Sequence, residues 1–241
     1  IKIEIFNLDI LIMKTNEVFN KVASNYDLMN DIMSAGAHRY WKECLIDWLN
    51  PIDNMSIIDV AGGTGDIARR FLIRVRGKGS VTVCDPNENM TTAGAKKISE
   101  YDNKINWINA SAETLPFEDN TFDAYIVSFG ARNFSDMNIS LSEARRVLKN
   151  NGRLLCLEFS KVQNKNLSKV YSIYSKIIPI IGKIIVGDEK PYQYLTDTIE
   201  KFPSQVLFKS IIENNNFDDV EYRNIFNGVV AIHSAWKKNG K

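Results

Sequence analysis

Cysteine and histidine are scarce in these 241 residues: three Cys, at positions 44, 84 and 156, and two His, at 38 and 233. An odd number of widely spaced cysteines with no C-x-x-C pair speaks against a disulfide framework or a thiolate zinc site, and it fits a reducing compartment. Two histidines are too few for a histidine-based metal centre, so no metal is expected. A surplus of charge is missing too. The net charge is +1, which gives no basic field of the kind that dominates nucleic-acid binding. The one basic cluster, Arg69, Arg70, Arg74, Arg76 and Lys78, reads as an exposed helix end where positive charge suits the macrodipole, contact with an anionic membrane surface being the lesser reading. Long apolar runs are absent: the nearest, Ile177–Val186, is broken by Pro179, Gly182 and Lys183 and does not cross a bilayer. The opening stretch, Ile1–Lys14, is built neither like a signal peptide nor like a transit peptide, and fits what remains once an upstream targeting segment is gone.

What is present is hydrophobic residue in quantity, 44%, enough for one α/β domain with an appendage. Residues 15–50 carry apolar positions at helical spacing up to Pro51, an N-terminal helical segment over 1–50 ahead of a domain over 51–241. Alternation then begins. Strands are predicted at 56–60, 80–85, 105–110, 122–129 and 152–159, with helices at 66–76, 87–101 and 137–149 between them. That rhythm indicates a doubly wound, mostly parallel sheet. Apolar helical material at about 161–201 breaks it, and after a helix at 204–214 two last strands flank Asn227-Gly228, the signal of an antiparallel hairpin.

The turn "DVAGGTGD", Asp59–Asp66, joins the first strand to the first helix of the alternation, at the kind of crevice where open α/β sheets bind ligands. Gly63, Thr64 and Gly65 open a G-x-G-x-x-A pattern, and Asp85 follows Gly65 by 20 residues at the end of the second strand, so a NAD enzyme competes. The charges favour another cofactor. A pyrophosphate would lie beside Asp66 and near Asp59 with no Lys or Arg in the loop to offset the repulsion. S-adenosylmethionine keeps the adenosine and replaces the phosphates with a sulfonium and an ammonium. Asp85 would accept from the ribose hydroxyls, the N–H groups of Gly63–Gly65 would bind the carboxylate, and Asp59 would favour the cationic groups. Ser111 and Ala112 follow the third strand and would lie beside the adenine; "SFGARN", from Ser128, follows the fourth and turns at Gly130.

These residues resemble the ubiquinone/menaquinone biosynthesis C-methyltransferases. The likeness runs from "VFNKVASNYDLMNDIMSAGAHRYWK" through "DVAGGTGDIA", "AETLPF", "FDAYIVSFGARNFSD" and "VLKNNGRLLCLEFSK" to "YQYLTDTIEKFPSQ" and "GVVAIH", nearly everything after residue 17. "SFGARN" and "CLEFSK" are more specific than the glycine turn. Pro86, Ser111 and the "GDEKPYQYL" wording depart from the family's usual pattern. The resemblance implies a class I, Rossmann-like fold and methylation of a ring carbon of a polyprenylated methoxy-benzoquinol, with a demethylmenaquinol as the alternative substrate. It implies catalytic roles for Arg132 and Asn133 beside the ring oxygen, Arg132 stabilising phenolate charge rather than acting as a simple base. It also implies peripheral contact with the mitochondrial inner membrane on the matrix side, or a bacterial cytoplasmic setting, with other quinone-synthesis proteins or a second copy as partners. A salt bridge or loop brace is the competing reading for Arg132. For Tyr26, Tyr192 and Tyr194 core packing is the default over lining the pocket, and both histidines read as structural. The segment 167–186 is the candidate wall for an isoprenoid tail, part of a helical cover over the substrate. A non-catalytic scaffold is the remaining competitor.

Overall fold

The computed structural model describes residues 30, 31, 34–164, 166, 167 and 190–238. The expectations for residues 15–29, for Tyr26 and for most of 161–201, including 168–186, lie outside the described residues. In chain order the elements are α1 His38–Leu49, β1 Ser56–Val60, α2 Asp66–Arg74, β2 Ser80–Cys84, α3 Glu88–Lys97, β3 Ile105–Ile108, β4 Phe122–Ser128, α4 Met137–Val147, β5 Leu148–Phe159, α5 Lys190–Lys201, α6 Gln205–Asn214, β6 Asp218–Ile225 and β7 Val230–Lys237. They form one seven-stranded sheet in the order β3-β2-β1-β4-β5-β7-β6. Strands β1 to β5 are parallel and β7 is antiparallel to both β5 and β6. This is the doubly wound sheet with a terminal hairpin that the alternation predicts.

Local chemistry sets the boundaries. Helix α2 buries Ile67, Ala68, Phe71 and Leu72, and left-handed Arg76 and Gly77 end its path after Arg74. Asn87 and Asp136 cap α3 and α4 by accepting from backbone N–H groups of their first turns. Helix α3 stops at Lys97 and the chain tightens into a 3-10 turn over Ser99–Tyr101, where a longer helix was expected. Strand β5 takes over at Leu148, four residues earlier than the pattern suggests, because Leu148 already pairs with Phe122 before a bulge resets the register. The hairpin turn holds Phe226, Asn227 and Gly228 all at positive φ.

Apolar side chains cover both faces of the sheet. On one, Leu45, Ile46, Phe71, Leu72, Val83, Ile126 and Leu155 bring α1 and α2 against the strands. On the other, Tyr125, Val127, Leu141, Phe208 and Ile212 bring in α4 and α6. Helix α1, from the N-terminal segment, thus shares the core of the sheet. Successive crossovers run outward from β1 through β2 to β3, then return to β4 and run the other way, so the topological switch point lies between β1 and β4. There the turn after β4 meets the glycine turn: a Cβ on Gly130 would lie 2.4 Å from the Cβ of Ala61. Only glycine permits that approach.

Candidate active site

The glycine turn leaves β1 through Ala61 at positive φ and enters α2 at Gly65, whose φ of 74° suits glycine. A side chain at Gly65 would also strike the Trp107 ring at 2.8 Å. The turn is fastened from β2: the Asp85 carboxylate accepts from the Gly63 N–H (2.9 Å) and, through its other oxygen, from the Asn87 N–H (2.9 Å). Burial lifts the Asp85 carboxyl to about 6 in spite of these two donors. The Gly65 N–H is held by the Gly62 carbonyl. Of the three N–H groups expected to bind a carboxylate, Thr64's is therefore the one without a partner among the described residues.

Beneath the turn lies Asp59, fully buried, with neither carboxylate oxygen completing a hydrogen bond. Burial pushes its carboxyl up to about 8, opposed by Lys42 and reinforced by Asp66 and Asp85. Asp66 differs. Lys42, reaching in from α1, donates to it at 2.9 Å and Arg70 at 3.1 Å. Burial alone would raise the Asp66 carboxyl, but the two cations, Lys42 foremost, bring it down to about 2. The loop itself holds no Lys or Arg, but an offsetting cation reaches in from another helix, so Asp66 does not by itself repel a pyrophosphate. That discrimination rests on Asp59, because Asp85 would accept from the ribose of either cofactor. A buried carboxyl below the turn that completes no hydrogen bond ionises more readily beside a cationic cofactor end than beside two phosphates.

Ser111 and Ala112 follow β3, Ala112 being buried, and Ser111 turns the chain by accepting from the Thr114 N–H. Glu113 ties this loop to the next by accepting from the backbone N–H of Ser135 at 2.6 Å. Ser128, the last residue of β4, has a buried hydroxyl without a partner. All these sequence-chosen residues lie along the carboxyl edge of the sheet.

After β4, Phe129 takes a left-handed conformation, φ 58°, and the chain makes a 3-10 turn over Ala131–Asn133. The Arg132 side chain is buried, 3% exposed, and forms an ion pair with the Glu158 side chain of β5, itself 1% exposed. Its Nη1 donates to both Glu158 oxygens (2.9 and 3.1 Å) and to the Phe129 carbonyl. The salt bridge weighed as the lesser reading is thus present. The pair uses one edge of the guanidinium only. Nε is buried without a partner, and no hydrogen bond from Nη2 joins the described residues. Asn133 accepts from the Tyr194 hydroxyl at 3.0 Å, which links this turn to α5.

Glu158 and Lys42 were missed in the sequence, although each interrupts an apolar pattern: Glu158 in "LLCLEF", Lys42 on the buried face of α1. Elsewhere the structure is plain. Four of the five residues of the basic cluster are matched by carboxylates, Arg70 and Arg74 with Glu43, Arg69 with Glu100 and Lys78 with Asp53. His38 bonds Asp31, and His233 bonds the Gln205 carbonyl, burial lowering its ring to about 4. Among the described residues no group of three or more His, Cys, Asp or Glu is placed to hold a metal, and no helix is long and apolar enough to cross a membrane.

Fold and site together define a class I S-adenosylmethionine-dependent methyltransferase. Solved structures share the fold: a SAM-dependent methyltransferase from Thermotoga maritima aligns at TM-score 0.65 with 16% identity, covering 92% of this chain and 99% of that one. One from Aquifex aeolicus aligns at 0.60 with 17% identity, covering 81% and 89%. The chain belongs to the ubiE/COQ5 methyltransferase family, which matches residues 10–237. It is similar to the ubiquinone/menaquinone biosynthesis C-methyltransferase UbiE of Dinoroseobacter shibae (48% identity over 91% of this chain and 89% of that one) and to that of Brucella suis (49%, 92% and 84%). It is accordingly an S-adenosylmethionine-dependent C-methyltransferase of the UbiE/COQ5 quinone-biosynthesis family. These two relatives are bacterial, and the mitochondrial placement that the resemblance implies finds no support among them.

Proposed function

We propose that the protein methylates a ring carbon of a prenylated p-quinol, using the site residues chosen from the sequence. The names of its relatives cover ubiquinone and menaquinone alike, so a demethylmenaquinol stands beside the methoxy-benzoquinol as substrate, a wider class than the benzoquinol alone. One observation carries the reading: the free Nε–Nη2 edge of Arg132, in the turn that packs against the glycine turn through Gly130 and Ala61. Such an edge donates two parallel hydrogen bonds and suits an oxygen that gains negative charge.

In this reading Asp59 favours the cofactor's cationic groups, the Thr64 N–H binds its carboxylate while Gly63 and Gly65, whose own N–H groups are taken by Asp85 and the Gly62 carbonyl, shape the turn around it, and Asp85 accepts from the ribose. Ser111 and Ala112 border the adenine and Ser128 the methionine end. When bound, S-adenosylmethionine supplies an electrophilic methyl on a sulfonium. The chain's task is to align the ring carbon with that methyl and to stabilise charge on the ring oxygen, which raises the carbon's nucleophilicity. Arg132 does the second and Asn133, fixed by Tyr194, helps orient the ring. Peripheral membrane contact, quinone-synthesis partners and a homodimer belong to the same proposal. The test supplies labelled S-adenosylmethionine with a short-chain demethylmenaquinol, a short-chain methoxy-benzoquinol and a catechol. Label on a ring carbon of either quinol supports the reading, and label on oxygen, or on the catechol alone, overturns it.

A further inference from the structure

Glu158 is the penultimate residue of β5, in a run whose neighbours Leu154, Leu155, Cys156, Leu157 and Phe159 are buried. A carboxylate there does not serve packing, since a buried ion pair is at best about as stabilising as well-packed apolar residues of the same volume. Its hydrogen bonds point to another task. Both oxygens take Arg132 Nη1, one also accepts the Phe159 N–H at 2.9 Å, and the other the Arg132 N–H at 3.3 Å. The Arg132 Cζ rests 5.8 Å from the centre of the Phe159 ring, which limits how the guanidinium can tilt. Phe129, whose carbonyl takes the same Nη1, has a backbone conformation that bulky residues rarely adopt, so strain is concentrated at this turn.

We propose that Glu158 is a positioning residue for methyl transfer: by gripping Nη1 it turns the Nε–Nη2 edge of Arg132 toward the ring oxygen of the quinol. The inference rests on the function proposed above. Glu158 also makes the pair electrically neutral, so that a buried cation does not repel the cationic methyl donor. The strength with which Arg132 draws charge onto the ring oxygen is then set by Glu158. Across the elements packed on this turn, Arg132 is the charged group that acts on Glu158. The neighbouring Cys156 thiol is kept neutral by burial and by Glu158 itself, and from α5 the Tyr194 hydroxyl faces Asn133.

The test compares Glu158→Gln, Glu158→Asp and Arg132→Lys with the wild type, reading S-adenosylhomocysteine affinity by calorimetry, the unfolding midpoint, and kcat and KM for the quinol across pH. For Glu158→Gln the nucleoside affinity should change less than about twofold, while kcat falls roughly 100-fold or more, as when a preorganised donor is lost. The limb reporting quinol ionisation should move to lower pH, because the guanidinium, no longer neutralised, attracts the phenolate more strongly. Glu158→Asp keeps the charge, so its limb should stay in place with part of kcat recovered. Arg132→Lys keeps a cation for Glu158 but has no two-donor edge, and should lose kcat with its limb unmoved; it decides the matter if Glu158→Gln does not fold. Wild-type kcat in Glu158→Gln or in Arg132→Lys overturns the proposal. So does a fall in kcat with an unmoved limb in Glu158→Gln and no recovery in Glu158→Asp, the pattern of a structural brace. A wild type that binds the nucleoside but methylates neither quinol overturns the proposed function and this inference with it, whereas quinol methylation with an unaffected Glu158→Gln overturns the inference alone.

Discussion

Asp59 and Glu158 are both buried carboxylates near the carboxyl ends of parallel strands, yet one has no partner for either oxygen and the other has four hydrogen bonds. The difference separates two kinds of readiness. At β1 the buried carboxyl completes no hydrogen bond, and in the proposed function it meets the cation that the cofactor brings. At β5 a cation is already supplied, and the Nε–Nη2 edge of that cation has no partner among the described residues. In the proposed reaction the cationic donor and the oxygen gaining negative charge would meet opposite electrostatic preparations across the switch point.

The largest expected effect breaks the paired side. Arg132→Ala or Glu158→Ala leaves a buried charge alone and should lower unfolding stability by about 3–5 kcal/mol in denaturant titration. The double replacement Arg132→Met with Glu158→Leu should recover most of that stability without recovering quinol methylation. A double variant as unstable as either single one would show that packing, not charge, dominates the turn.

The unpaired side gives the next effect. Asp59→Asn should weaken S-adenosylmethionine binding by about 2 kcal/mol, in the range of a charged hydrogen bond, and weaken S-adenosylhomocysteine, which has no sulfonium, by less. The pH dependence has a definite sign. With the folded value raised from 3.8 to about 8, the folded state keeps a proton that the unfolded chain has released, so Asp59 lowers stability progressively as pH rises from about 4 to about 8. Asp59→Asn should flatten that decline, by at most about 1.4 kcal/mol per pH unit. Near pH 7 the cationic cofactor should expel the proton, which calorimetry in buffers of different ionisation enthalpy would detect. Buffer-independent heats would mean that cofactor binding does not change the protonation of Asp59.

Asp66 runs the other way. Its value, lowered to about 2, stabilises the fold above about 4, and that contribution is lost as pH falls toward 2. Lys42→Met should cost about 1–2 kcal/mol at pH 7, because Arg70 still pairs with Asp66 and part of the site is wetted. Its acid unfolding should begin at higher pH. The smallest effect is Tyr194→Phe, which removes the hydroxyl bonded to Asn133 and should cost about 1 kcal/mol in stability, with a rise in KM for the quinol and unchanged nucleoside affinity.

Much of this was legible in advance because it is local. Apolar periodicity and turn residues marked the strands and most helices, and the misplaced ends, at Lys97 and Leu148, are where a 3-10 turn and a bulge depend on neighbouring strands. Gly65 and Asp85 could be read from spacing, because a strand–turn–helix unit brings them together within one crossover. Lys42 beside Asp66 and Glu158 beside Arg132 could not. They are 24 and 26 residues apart, and in each case the two partners lie on different elements.

The order of apolar, glycine and acidic residues along the chain thus determined by itself the alternating sheet, the terminal hairpin and the acidic glycine turn, since each follows from backbone preference and burial over a few residues. Which carboxylate stays alone and which is neutralised was decided only in the tertiary structure. The physical reason is that the energy of a buried charge depends on what lies within a few ångströms of it, and only packing sets those distances.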